Sequence, residues 1–369
     1  MTTPTRFQRF VLPGLAFKAV VIGGGYATGR ELVEFFLPSG PWGGVTAMVL
    51  ATIIWSAVCV ATFLFAFQTG ARDYRTFFQK LLGTPGMIVF EASYLLFIVL
   101  ILAVFGAAAG AIGEVLFGWP KLLGSLCLVA GIATFATFGN ESVEQLFKWV
   151  SFLLYGVYAV FVVLALTHFG DRVAEKFALT VPMTGWALGG LTYAGYNIIG
   201  AVVILPVMRH MTGRRDAVIA GAVAGPLAMI PALLFFICMV AYYPEVANET
   251  LPSDFLLQKL NLPVFHFLFQ IMIFSALLES GTGAVHAINE RIASAYQARR
   301  NKVLKNRARL AIACTVLIGS VFLADRFGLV ALIAQGYRAL AYIFLTIYVL
   351  PLLTYGVWRL RKEKTHAVA

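Results

Sequence analysis

The 369-residue sequence is 60% hydrophobic and only 12% charged, too little charge to cover the surface of a soluble domain of this length. Its formal charge of +11 would suit nucleic acid only if the basic residues formed a stripe, and they fall instead at the ends of alternate apolar segments. Four cysteines, Cys59, Cys127, Cys238 and Cys314, lie singly within apolar stretches without metal spacing and read as small core residues.

Ten apolar segments follow one another, at 11–37, 42–69, 86–117, 119–138, 141–168, 183–208, 215–243, 263–296, 307–324 and 328–359. Each approaches or exceeds the ~20 residues that cross ~30 Å of hydrocarbon as a helix. None alternates as a barrel strand does, so the expectation is an all-α polytopic membrane protein with no separate soluble domain. The first segment is too long for a signal-peptide core and carries Arg30, Glu31 and Glu34. With the N-terminus cytoplasmic, 20 of the 28 Lys and Arg residues fall on the inner side and five on the outer. That asymmetry supports an even number of spans, with both termini in the cytoplasm of a bacterial-type inner membrane.

Two segments carry breaks. In the first, VVIGGGYATGRE places Gly23, Gly24 and Gly25 in a row, followed by Gly29; each costs a helix ~1 kcal/mol relative to alanine. In the sixth, Gly189-Gly190 and Gly195-Tyr196-Asn197 repeat the device. The breaks lie five spans apart, so the two halves run in opposite directions, and paired breaks of that kind point to a transporter substrate site with free backbone groups at mid-membrane. Small residues in the third span, Gly106 and Gly110 among them, fit close helix packing instead.

The segment GGGYATGRELVEFF, with GYN in the sixth span and the ten-helix layout, resembles the YkvI-like membrane proteins. These look like members of the amino acid–polyamine–organocation superfamily with the LeuT-type fold. The resemblance covers the layout of nearly the whole chain, but its motifs lie only in spans one and six. It implies one membrane domain over residues 1–369 built as a 5+5 inverted repeat, 11–168 and 183–359, in which spans 1, 2, 6 and 7 rock against spans 3, 4, 8 and 9. It also implies a sodium site, for which Ser280 and Thr282 with Gly23 and Gly24 are the counterparts in this sequence, and a fifth-span lysine, Lys148, standing in for sodium in proton-coupled relatives.

Charges inside a membrane must be paired or functional. Ser275, Glu279, Thr282, His286 and Asn289 share one helical face of span eight, with the Glu279 carboxylate near mid-span. Lys148 lies one turn from Glu144, and Arg30 one turn from Glu34, where a local ion pair or outer gate is the expectation. Glu31 points to another face and can reach the bundle. Glu91 reads as structural or vestibular, and Arg338 needs a partner on another helix. Tyr26, Tyr193, Tyr196 and Asn197 flank the breaks and can pack an aliphatic group or face an ammonium. His286 reads as a hydrogen-bonded packing residue.

The expected function is therefore secondary transport of a small amino acid, amine or zwitterion, coupled to H+ or Na+. Gly23–Gly25, Tyr26, Glu31, Tyr193, Tyr196, Asn197 and Glu279 would contact the substrate, and Lys148, Glu279, Ser280 and Thr282 the ion. No cofactor, nucleic acid or metal beyond that Na+ is called for. A transporter-like sensor that binds without flux is the alternative. A channel lacks a pore-lining repeat, and no HExxH, GxSxG or paired-aspartate motif marks an enzyme.

Overall fold

In a bilayer the backbone must satisfy itself, and residues this apolar do so as helices. The computed structural model describes residues 4–22, 24–138, 140–302 and 304–366, with the side chains of 24–25, 136–149, 151–152, 294–295, 298–299 and 363–366 also set aside. Among the described residues there is no strand. Six stretches are long and apolar enough to cross a membrane: Arg30–Thr69, Tyr74–Phe117, Leu153–Ala178, Arg214–Val240, Pro263–Ala293 and Asn306–Lys362.

Together with Lys121–Phe138 and the broken segment 186–210, these account for ten spans among the described residues. Span one is assembled from Leu12–Val21, Gly24–Ala27 and Arg30–Phe35, and span two is the continuous helix Gly40–Thr69. Span three, Tyr74–Phe117, bends at Gly83, so its first turns lie outside the expected start at 86. Spans four and five are Lys121–Phe138 and Asn140–Ala178. Span six comprises Trp186–Asn197, Gly200–Val203 and the 3-10 turns Leu205–His210, and span seven is Arg214–Val240. After a short helix at Pro252–Leu260, span eight is Pro263–Arg300. Span nine begins at Asn306; Gly328 ends it, and span ten continues to His366 through three π-helical segments.

Small residues let the spans approach. Ser125 donates to the Gly106 carbonyl at 2.7 Å, and a Cβ on Gly110 would lie 2.6 Å from the Lys121 carbonyl oxygen, so spans three and four pack as the spacing in span three implied. Spans two and seven meet where Gly221 and Gly225 face Val60 and Ser56.

The basic residues gather at one end. There Asp216, buried at the start of span seven, receives Arg9 Nε at 2.8 Å and Nη2 at 2.6 Å, tying down the N-terminal segment. Glu91 bridges Arg75 and Arg291, the structural role its position suggested. The opposite end carries the 3-10 turn Glu245–Asn248 and the helix Pro252–Leu260, which together cap the bundle.

Candidate functional site

The break in span one is sharp. Helix Leu12–Val21 stops where Ile22 leaves helical geometry (ψ 73°), and a second interruption follows at Thr28–Gly29. Gly29 sits at φ +78°, and a Cβ there would lie 2.7 Å from Phe235, so both backbone and space demand glycine. Gly23 lies outside the described residues, as do the immediate surroundings of Gly24 and Gly25.

The break in span six is milder and displaced from the glycines expected to make it. Gly189, Gly190 and Gly195 are inside the helix Trp186–Asn197. Their role is packing: a Cβ on Gly189 would meet the Phe35 carbonyl oxygen at 2.1 Å, and one on Gly190 the Ala47 carbonyl oxygen at 2.5 Å. The interruption comes one turn later, at Ile198–Ile199, where i→i+3 hydrogen bonds tighten the chain. Two glycines in a helix can therefore mark a close crossing with spans one and two rather than an unwound segment.

The residues expected around the substrate fall into two groups on opposite sides of the breaks. On the capped side they form a closed layer. Tyr196 donates to Glu31 Oε2 at 2.5 Å, both buried, and stacks on Tyr337 with ring centroids 4.5 Å apart. Tyr193 packs on Phe36 and Trp55, its hydroxyl buried without a partner. Asn197 donates to the Tyr193 carbonyl at 3.2 Å, and the Tyr26 and Tyr158 hydroxyls lie 3.0 Å apart. Tyr26, Glu31, Tyr193, Tyr196 and Asn197 are each at most 6% exposed.

Above that layer Arg30 acts as a clamp. Its guanidinium donates to Glu34 at 3.2 Å and to two backbone carbonyls of the cap, Ala247 at 3.1 Å and Glu249 at 2.9 Å. Glu34 also receives Arg338 at 3.5 Å, which supplies the missing partner of that span-ten arginine. The cap docks further through the Ser253 N–H, which donates to the Thr28 carbonyl at the break (3.0 Å). Asp254, one residue on, is buried and receives Gln258, His266 and Gln270 at 2.6–2.7 Å. The helix lies between the apolar segments 215–243 and 263–296, and Pro252 followed by Ser and Asp is the sequence sign of its start.

On the basic side of both breaks lies a cavity of about 390 Å³, within the ~300–1,000 Å³ of small-molecule sites. It is bounded by Val20 and Ile22 of span one, Phe97 and Phe105 of span three, Tyr155 of span five, Ile199 and Val203 of span six, and Glu279, Ser280 and Gly283 of span eight. Glu279 has no hydrogen-bond or ion partner among the described residues. Ser280 and Thr282 lie on different sides of span eight. Two residues apart on a helix they point about 200° away from each other; Ser280 lines the cavity, whereas Thr282 is fully buried away from it, its hydroxyl unpartnered.

Further along span eight, His286 Nδ1 and both amide atoms of Asn289 are buried without hydrogen-bond partners among the described residues, so that ring nitrogen lacks the hydrogen bond expected of it. Lys148 and Glu144 lie outside the described side chains. Among the described residues no cluster of His, Cys, Asp and Glu could hold a metal ion.

No family model matches the chain. It is 24% identical over 285 residues to the uncharacterized membrane protein YkvI of Bacillus subtilis (strain 168), which covers 76% of this chain and 80% of that protein. Among solved structures it is similar to a substrate-bound, outward-open Na+-coupled sialic acid symporter, with a TM-score of 0.64 and 14% identity over 93% of this chain and 78% of that one. A manganese transporter of Eremococcus coleocola superposes with a TM-score of 0.56 and 17% identity over 92% and 77% of the two chains. At these identities the likeness shows the fold: the chain is an all-α, multi-pass membrane protein with the LeuT-type arrangement of two broken helices.

Proposed function

We propose that the chain is a cation-coupled secondary transporter of a small amine or zwitterion, caught with its outer side closed. The observation that carries this reading is the asymmetry about the two breaks. On one side Glu31, Tyr196, Arg30 and Glu34 are packed and paired beneath a docked cap. On the other, the Glu279 carboxylate, without a partner among the described residues, faces a cavity bounded by the ends of the helix pieces. Alternating access requires such a difference, with a site at mid-membrane between broken helices. The basic end is then cytoplasmic by charge bias, the state inward-facing, and the membrane the bacterial-type inner membrane.

The sialic acid symporter and the manganese transporter that share the fold support transport as its use. Membership of the amino acid–polyamine–organocation superfamily, and the division into repeats at 11–168 and 183–359, belong to the same proposal. The residues that fit a coupling Na+ are led by Thr282, whose buried hydroxyl lacks any partner and whose helix packs against the Gly24–Ala27 turn of span one. A carboxyl at Glu279 and the unpartnered His286 and Asn289 on the cytoplasmic side suit proton coupling equally well.

Liposomes holding the purified protein test the proposal. Uptake of a labelled amine or amino acid should rise with an imposed H+ or Na+ gradient and fall when Glu279 is replaced by Gln. No accumulation of any such solute under either gradient would remove the transporter reading.

A further inference from the structure

Spans two, seven and ten enclose a second hollow, an open groove of about 820 Å³ on the flank of the bundle. Ile53, Val60 and Leu64 of span two, Pro226 of span seven, and Leu353 and Val357 of span ten form its walls. Ile53 and Leu353 are exposed, so in a bilayer the groove opens sideways onto lipid. The Thr52 and Ser56 hydroxyls in the wall are already engaged within the protein. Thr52 donates to the Met48 carbonyl at 2.8 Å and Ser56 to the Ala222 carbonyl at 2.9 Å. These walls therefore offer an occupant hydrocarbon contact.

One end of the groove is different. Arg214, the first residue of span seven, and Arg361, near the end of span ten, both line it. They stand at the basic end of the bundle, whereas Ile53, Pro226 and Leu353 lie deeper along their spans. From Arg214 to Pro226 span seven rises ~18 Å at 1.5 Å per residue, close to one leaflet's half of the ~30 Å hydrocarbon core. Tyr355 and Trp358 stack with centroids 5.8 Å apart, each about half exposed, and the Lys362 ammonium lies 5.4 Å over Trp358. Aromatic and basic residues grouped in this way mark the membrane–water interface, so the arginines are at headgroup level. Arg359 donates to the Lys80 carbonyl at 2.8 Å and moors this end of span ten.

A groove that is apolar to the depth of one leaflet, with guanidinium groups at its mouth, matches a lipid in both length and charge. An acyl chain gains by covering the walls, and guanidinium groups suit phosphate oxygens in geometry as well as sign. We infer that this groove is a binding site for an anionic phospholipid of the leaflet at the basic end. The acyl chain lies along span two, and Arg214 and Arg361 hold the phosphate. A zwitterionic lipid brings the same chains, but its own ammonium offsets the phosphate charge, so it binds more weakly. The bound lipid bridges the walls given by spans seven and ten and thereby stabilises the bundle.

The test uses the delipidated full-length protein in neutral detergent, with binding read from thermal stabilisation and retained lipid counted by native mass spectrometry. Dioleoyl phosphatidylglycerol should stabilise at a concentration about tenfold or more below that needed for dioleoyl phosphatidylcholine. A basic residue near the membrane surface is worth about fivefold in affinity for anionic lipid, so Arg214→Gln and Arg361→Gln should each weaken phosphatidylglycerol by about that factor. Arg361 is exposed, so its variant keeps the test standing should Arg214→Gln fold poorly. Ala57→Trp, which fills an exposed position in the wall, should weaken both lipids with the arginines intact. Arg72→Gln removes an exposed charge at the same end that does not line the groove and should change neither. Equal stabilisation by the two lipids, or an Arg72→Gln effect as large as that of Arg361→Gln, overturns the inference. So does equal stabilisation by glycerol phosphate without chains, or a lipid-free dimer that Ala57→Trp disrupts.

Discussion

If the cap is the outer gate, Arg30 is its bolt, and replacing it with Gln should loosen the cap without disturbing the bundle. Arg30 donates to two cap carbonyls and to Glu34, with its side chain 8% exposed. A hydrogen bond from a charged donor contributes about 1.5–3 kcal/mol. Because the carbonyls regain water on opening, the pair together is worth about that amount rather than twice it. At 1.4 kcal/mol per tenfold, the open population should rise about 10- to 150-fold. Ser253 offers a reporter, being fully buried in the docked cap with its hydroxyl unpartnered, so Ser253→Cys fits without losing a bond. In a background with the four native cysteines replaced, a membrane-impermeant maleimide applied from outside should label that cysteine slowly with Arg30 present and faster by the stated factor in Arg30→Gln. Arg338→Gln should give a smaller increase, since its contact with Glu34 is 3.5 Å and the arginine is half exposed. Unchanged labelling in a folded Arg30→Gln protein would refute the clamp.

Tyr196→Phe removes the single described donor to the buried Glu31 carboxyl and should lower stability by about 1.5–3 kcal/mol, seen as a lower thermal midpoint. Tyr193→Phe deletes a buried hydroxyl with no partner and should be neutral or slightly stabilising in the same assay. Gly189→Ala would push a methyl into the Phe35 carbonyl and should cost about 1–3 kcal/mol or more, whereas Gly156→Ala, with open space around it, should be tolerated. If Na+ is the coupling ion, the melting temperature should rise in Na+ relative to choline; Thr282→Ala should abolish that rise and Thr282→Ser should keep it.

The ten spans were legible because a bilayer leaves few choices: length and apolarity fix where helices cross. The break in span one was legible for a related reason, since three glycines in a row serve no packing face. The glycines of span six carry the same letters and a different meaning. Whether a glycine admits a carbonyl oxygen from another helix, as Gly189 does for Phe35, depends on a neighbour that one segment cannot announce. For the same reason Arg338 could be seen to need a partner, while Glu34 could not be named. The pairing of Glu31 with Tyr196 and the stacking of Tyr337 join spans one, six and ten, and nothing local in span ten singles out that tyrosine. The site residues were drawn together as one set because they flank the breaks; that they divide into a sealed layer and an open cavity follows from which half of each broken helix they occupy.

The bond from the Ser253 amide to the Thr28 carbonyl ties the capping helix to the interior of the first span. A broken helix leaves backbone groups that must find donors, and here one donor is borrowed from the segment after span seven. Lifting that segment alters the electrostatics of the mid-membrane kink directly, with no intervening side chain to relay the change. A binder raised against the exposed face of residues 252–260 would therefore act on the kink of the first helix as well as on the cap.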